Sequence, residues 1–176
     1  MPVILVVIAV ISGVLFFILR ARNASNATVE LLDMANDVRL AARRFGFRRQ
    51  TNLHPAESIE DPSIAIAGIA SAFLELYDLP TADQREALAW EMTKTLNISK
   101  SEADELSVLG RWMVSECGGA DAAISRLTRK LYRLDPQGLS PLLALVSNTV
   151  AKSSSGGLNL KQTEALDDVK RAFRIK

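Results

Sequence analysis

One cysteine and one histidine in 176 residues set the first limits. Cys117 has no second cysteine to meet, so no intramolecular disulfide forms, which fits a reducing compartment. Transition-metal sites need clusters of thiolates and imidazoles, and the chain cannot supply them. A Cys–His hydrolase needs thiol, imidazole and an orienting group converging on one point. Cys117 closes an apolar helical stretch and His54 lies in a distant polar segment, so the pair reads as a small buried thiol and a solvated histidine. No calcium-loop spacing occurs. No glycine-rich phosphate cradle precedes a helix, because Gly118-Gly119 and Gly156-Gly157 fit helix ends. Charge of one sign is also missing. The net charge is +1, so nothing pulls the whole molecule toward nucleic acid. No segment alternates apolar and polar residues long enough to make a strand.

What the sequence does have is a long apolar run. Fourteen of the seventeen residues from Val3 to Leu19 are Val, Ile, Leu or Phe, and the others are Ala9, Ser12 and Gly13. As a helix the run spans about 26 Å, slightly short of a ~30 Å hydrocarbon core. It has no polar face, which argues against a buried soluble helix. A cleaved signal peptide would carry its charge before the run and a small-residue site after it. Here Arg20 and Arg22 follow instead, placed to snorkel to headgroups. The run reads as an uncleaved anchor. Arg20, Arg22, Arg39, Arg43, Arg44, Arg48 and Arg49 all lie on its C-terminal side, so the positive-inside rule places the rest in the cytoplasm. The three Asn-X-Ser/Thr tripeptides at Asn23, Asn26 and Asn97 would then go unused.

Ala24 to Thr28 is a short polar linker. From Val29 to Phe45 the spacing of Leu31, Met34, Ala35, Val38, Ala41, Ala42 and Phe45 predicts a helix, and Gly46 a stop. Its other face and its exit carry Arg39, Arg43, Arg44, Arg48 and Arg49. This basic segment is either a solvated face or a juxtamembrane patch for anionic lipid, with Phe45 and Phe47 dipping into the interface. Gln50 to Asp61 has no periodicity and contains Pro55, so it reads as an extended connection.

Six helices are then expected. Asp61-Pro62 starts the first, with Ile66, Ile69, Ala70, Phe73 and Tyr77 inward, and Pro80 ends it. Thr81 with Gln84, and Ser99 with Glu102, are capping boxes for the next two. The fourth carries Ala123, Ile124, Leu127 and Leu131 and stops at Asp135-Pro136. Ser140-Pro141 opens the fifth, and the sixth starts near Leu160.

Gln84-Arg-Glu-Ala-Leu88 recurs as Gln162-Thr-Glu-Ala-Leu166, each behind an apolar helix, a break and a cap at Thr81 or Asn159. The shared grammar points to two related helical hairpins. This layout, from about Pro62 to Phe173, resembles the TerB-like helical domain of tellurite-resistance proteins, found also in a membrane-anchored DnaJ-like co-chaperone. The resemblance implies a bacterial source and acidic metal-binding positions at the hairpin breaks. Of these only Asp78 matches. Gln84 and Gln162 stand at the glutamate positions, and Ser155 stands where an aspartate belongs.

The expectation is therefore an all-α chain. Residues 1–22 form a transmembrane anchor, 23–61 a juxtamembrane basic helix and linker, and 62–176 a TerB-like bundle with an internal hairpin repeat. Its function would be a non-catalytic interaction or scaffold module without cofactor. It would be single-pass in the bacterial inner membrane, with the bilayer, anionic headgroups and a protein as partners. The competing reading is a divalent-metal-binding stress-response domain that uses Asp78.

Overall fold

Asp61 and Pro62 start the helix around which the others assemble. The Asp61 carboxylate accepts from the Ser63 N–H at 2.8 Å, and the proline occupies a position where no amide hydrogen is needed. The helix they open, α2 (Pro62–Glu75), is apolar on every side. Each residue from Ile64 to Phe73 is buried, because a helix without a polar stripe is stable only when neighbours cover it all round. In the computed structural model, residues 35–76, 79–152 and 157–174 are described. They form helices, with no strand among them. Around α2 lie α3 (Ala82–Thr95), α4 (Lys100–Glu116), α5 (Ala120–Leu134) and α6 (Leu139–Lys152). The last helix, α7 (Leu160–Arg174), packs mainly on α5. A helical segment over residues 35–44, here α1, precedes them.

The chain divides into two units, Met1–Asp37 and Val38–Lys176, and the helices packed around α2 belong to the second. Val3–Leu19, Arg20, Arg22, Leu31, Met34, Tyr77 and Asp78 lie outside the described residues. Among the described residues no helix is long and apolar enough to cross a membrane.

Both expected capping boxes are formed. Thr81 and Gln84 exchange hydrogen bonds at 2.9 and 3.2 Å, and Ser99 and Glu102 at 2.8 and 3.2 Å. Asn159 and Gln162 repeat the arrangement at the start of α7, at 3.1 and 2.9 Å. Gln162 also donates from Nε2 to the Phe73 carbonyl at 3.0 Å, tying α7 to α2. The fifth start differs from expectation. Helix α6 begins at Leu139, one residue before Ser140, because a turn over Pro136–Gly138 already leads into it.

Three helices end in the same Schellman turn. After α1 the Phe47 N–H bonds the Ala42 carbonyl at 2.7 Å, after α3 Ile98 bonds Thr93, and after α4 Gly119 bonds Val114. The left-handed residue each turn requires is Gly46 (φ 66°), Asn97 (φ 53°) or Gly118 (φ 88°). The first turn has a structural consequence: it throws Phe47 back into the core, where its ring meets Trp112 edge to face at 5.7 Å.

Helices α2 and α4 approach closely at Gly110. A Cβ there would stand 2.9 Å from the Ala67 backbone, far inside contact distance. A buried acid joins α3 to α6. Glu91, only 3% exposed, pairs with Lys152 and bonds Asn148, and Lys94 stands 3.9 Å away. The Lys152 hydrogen bond is the main cause that holds the Glu91 carboxyl below the usual carboxylate range.

Candidate functional site

Two regions concentrate chemistry: the strap from Phe47 to Ile59, and a groove between α2, α3 and α4.

The strap was expected as an extended connection, but Pro55–Ser58 forms a turn of 3-10 helix, and Ala56 and Ile59 are fully buried. Apolar anchoring at Phe47, Ala56 and Ile59 is too widely spaced to show as periodicity, yet it is enough to hold a strap. His54 is half-buried, not solvated. Its Nδ1 accepts the Ala56 N–H at 3.1 Å, so Nε2 carries the proton and donates to the Glu116 carbonyl, also at 3.1 Å. Far apart in sequence, His54 and Cys117 thus come to one corner. Both imidazole nitrogens are already engaged there, and burial pushes the Cys117 thiol up. The arrangement ties the strap to the end of α4.

The basic segment divides. Arg44 reaches Glu105 at 3.2 Å and Ser101 at 3.4 Å, and Arg49 reaches Glu116 at 3.4 Å. Arg39, Arg43 and Arg48 are exposed and form no ion pair among the described residues. Phe47 is buried and Phe45 half-buried, so these rings pack on the bundle, which disfavours the one of the two readings in which they dip into the interface.

The groove was not visible in the sequence. The last turn of α2, the Pro80 segment, and facing sides of α3 and α4 enclose about 340 Å³. Its walls are apolar at Leu74, Leu88, Ala89 and Val108. Charge of both signs rims it. Lys100 and Asp104 pair at 2.8 Å, and Arg85 donates to the Pro80 carbonyl at 2.5 Å. Glu75 stands where the apolar wall meets the rim. Burial raises its carboxyl, and the charge of Arg111 offsets this only in part. Glu86 forms no ion pair among the described residues. Helical spacing on each element predicted inward faces, but a groove arises only from how three faces diverge.

A second hollow, between α5 and α7, encloses about 550 Å³ and is lined by charges of both signs, among them Asp121, Arg129, Lys161 and Asp168. Among the described residues no group of three or more His, Cys, Asp or Glu could hold a metal ion. Gln84 and Gln162 bond backbone through their side chains at helix starts. No protein-family model matches this chain, and no curated protein or solved structure matches it.

Proposed function

We propose that this protein is a non-catalytic docking module, tethered by Val3–Leu19 to a bacterial inner membrane with its helical unit in the cytoplasm. Its groove receives an amphipathic helix of a partner protein that carries a Lys or Arg beside its apolar stripe. The observation that carries this reading is the groove itself, an apolar floor edged by a carboxyl whose charge is poorly compensated. Apolar anchors at helical spacing fit such a floor. A partner cation would relieve Glu75, which the groove desolvates without fully pairing it. The TerB-like resemblance is proposed alongside, supported by the helix order and the matching caps at Thr81 and Asn159.

Alkaline carbonate extraction is expected to leave the protein in the membrane pellet. In mild detergent the full chain is expected to retain a stoichiometric protein partner. Val108→Glu, which puts a charge on the groove wall, should release it. Glu75→Gln should weaken it about tenfold. Because ionised Glu75 disfavours the fold at neutral pH, Glu75→Gln leaves stability unchanged or raised, so a lost partner cannot be blamed on unfolding. Retention unaltered in both variants would overturn the groove reading. The metal-binding alternative predicts stoichiometric divalent-ion binding in calorimetry that Asp78→Ala abolishes.

A further inference from the structure

We infer that Arg39, Arg43 and Arg48 form a headgroup contact that lays the helical unit against an acidic membrane surface. The inference rests on the tether proposed above and adds to it a surface and a ligand, the acidic phospholipid of the same bilayer.

Five arginines lie between positions 39 and 49, and no acidic residue lies between 38 and 50. The fold sorts these five into two sets. Arg44 and Arg49, also exposed, pair with Glu105 and Glu116 of α4. Arg39, Arg43 and Arg48 stay exposed and form no ion pair among the described residues. Arg39 and Arg43 are four apart on α1 and share one helical face. The segment is fixed in place, because Ala41 and Phe47 are buried on its other side and the Schellman turn sets the exit toward Arg48. The buried Ala41 and Phe47 hold the segment, and the three unpaired arginines are presented outward by a backbone that does not need ordering on contact. Arginine suits phosphate because its planar fork matches two oxygens at once.

Phe47 is buried and Phe45 half-buried against the core, while Leu40 beside Arg39 stays half-exposed, so the contact inserts no ring and is mainly electrostatic. It must therefore fall steeply with salt. Arg39 is twenty positions beyond Leu19, so even a fully extended chain holds it within about 70 Å of the membrane end of the run. Tethering at that range keeps the effective concentration of headgroups high, and modest contacts then suffice.

The test uses the full-length chain reconstituted into vesicles of neutral phosphatidylcholine, with or without phosphatidylserine. Co-flotation with neutral vesicles reports on the Val3–Leu19 tether alone. Trypsin cleavage within the segment reports on the contact. At low ionic strength, cleavage after all five arginines of the segment is expected to slow about tenfold on the acidic vesicles, and high salt should restore it. The Arg39→Gln/Arg43→Gln/Arg48→Gln variant should lose this protection, read at the remaining Arg44 and Arg49 bonds. The Arg44→Gln/Arg49→Gln variant should keep it at the other three. Equal cleavage on neutral and acidic vesicles, or protection that survives the triple replacement, overturns the inference. A chain that leaves neutral vesicles yet binds acidic ones at low salt would sink the tether and support the contact.

Discussion

Gly110 and Ser71 face each other across the α2–α4 contact, and they show how one atom decides the sign of a substitution. A Cβ at Gly110 would sit 2.9 Å from Ala67 backbone atoms, which cannot rotate away. Gly110→Ala is therefore expected to destabilise by about 1–3 kcal/mol, despite the better helix propensity of alanine. Ser71 lies 3.1 Å from that same position, and its hydroxyl is buried without a hydrogen-bond partner among the described residues. Ser71→Ala removes an uncompensated polar group and is expected to leave the melting temperature unchanged or raise it. Thermal unfolding of both variants checks the pair, and a fall in both would refute the account.

The α3–α6 ion pair gives a prediction with a pH signature. Lys152→Met leaves Glu91 buried with weaker partners. Lys152 is itself 44% exposed, so the loss at neutral pH is expected to be about 1–2 kcal/mol, below that of a fully buried pair. The folded-state carboxyl lies below its ordinary value of 4.5. Its stabilisation is therefore present above that value and disappears as pH falls through the lower folded one. Denaturant titrations should show the variant and the parent chain converging in acid. A gap that stays constant with pH would mean the effect is not electrostatic.

At the scale of elements, the strap is the informative part. It is held by Phe47 on Trp112, by the bridging His54, and by Glu57, which meets Arg133 at 3.3 Å while its carbonyl accepts from Lys130 at 2.7 Å. The only large ring among these anchors is Phe47. Phe47→Ala is expected to cost roughly 3 kcal/mol. It should also raise hydrogen exchange across residues 47–59 before it affects α2, because a strap opens without disassembling the helices beneath it. Exchange that rises uniformly over the unit would show that strap and bundle are one cooperative element.

At the scale of the molecule, every buried hydrophobic residue among the described residues from Ala41 onward joins one cluster around α2. Nothing in that cluster comes from Met1–Asp37 among the described residues. A fragment starting at Val38 is expected to unfold in a single cooperative transition, with calorimetric and van't Hoff enthalpies in agreement. A molten baseline or a second transition would show the unit to be incomplete.

Local chemistry was readable in the sequence because it acts within four residues. The Asp61-Pro62 start, the capping boxes at Thr81 and Ser99, the cap at Asn159, and the stops at Gly46 and Gly118 each satisfy backbone groups close in the chain. Inward faces such as Ile66, Ile69 and Leu127 were readable for the same reason, since they follow from helical periodicity. Only the tertiary structure decided the rest. The strap's anchors are too sparse to show a period, and what makes them anchors is the surface of α4 and α5. The groove exists because three helices diverge beside Glu75. The split among the arginines depends on which of them can reach a glutamate on α4, more than fifty residues away. Such distances are set by packing, and no pattern confined to neighbouring residues encodes them.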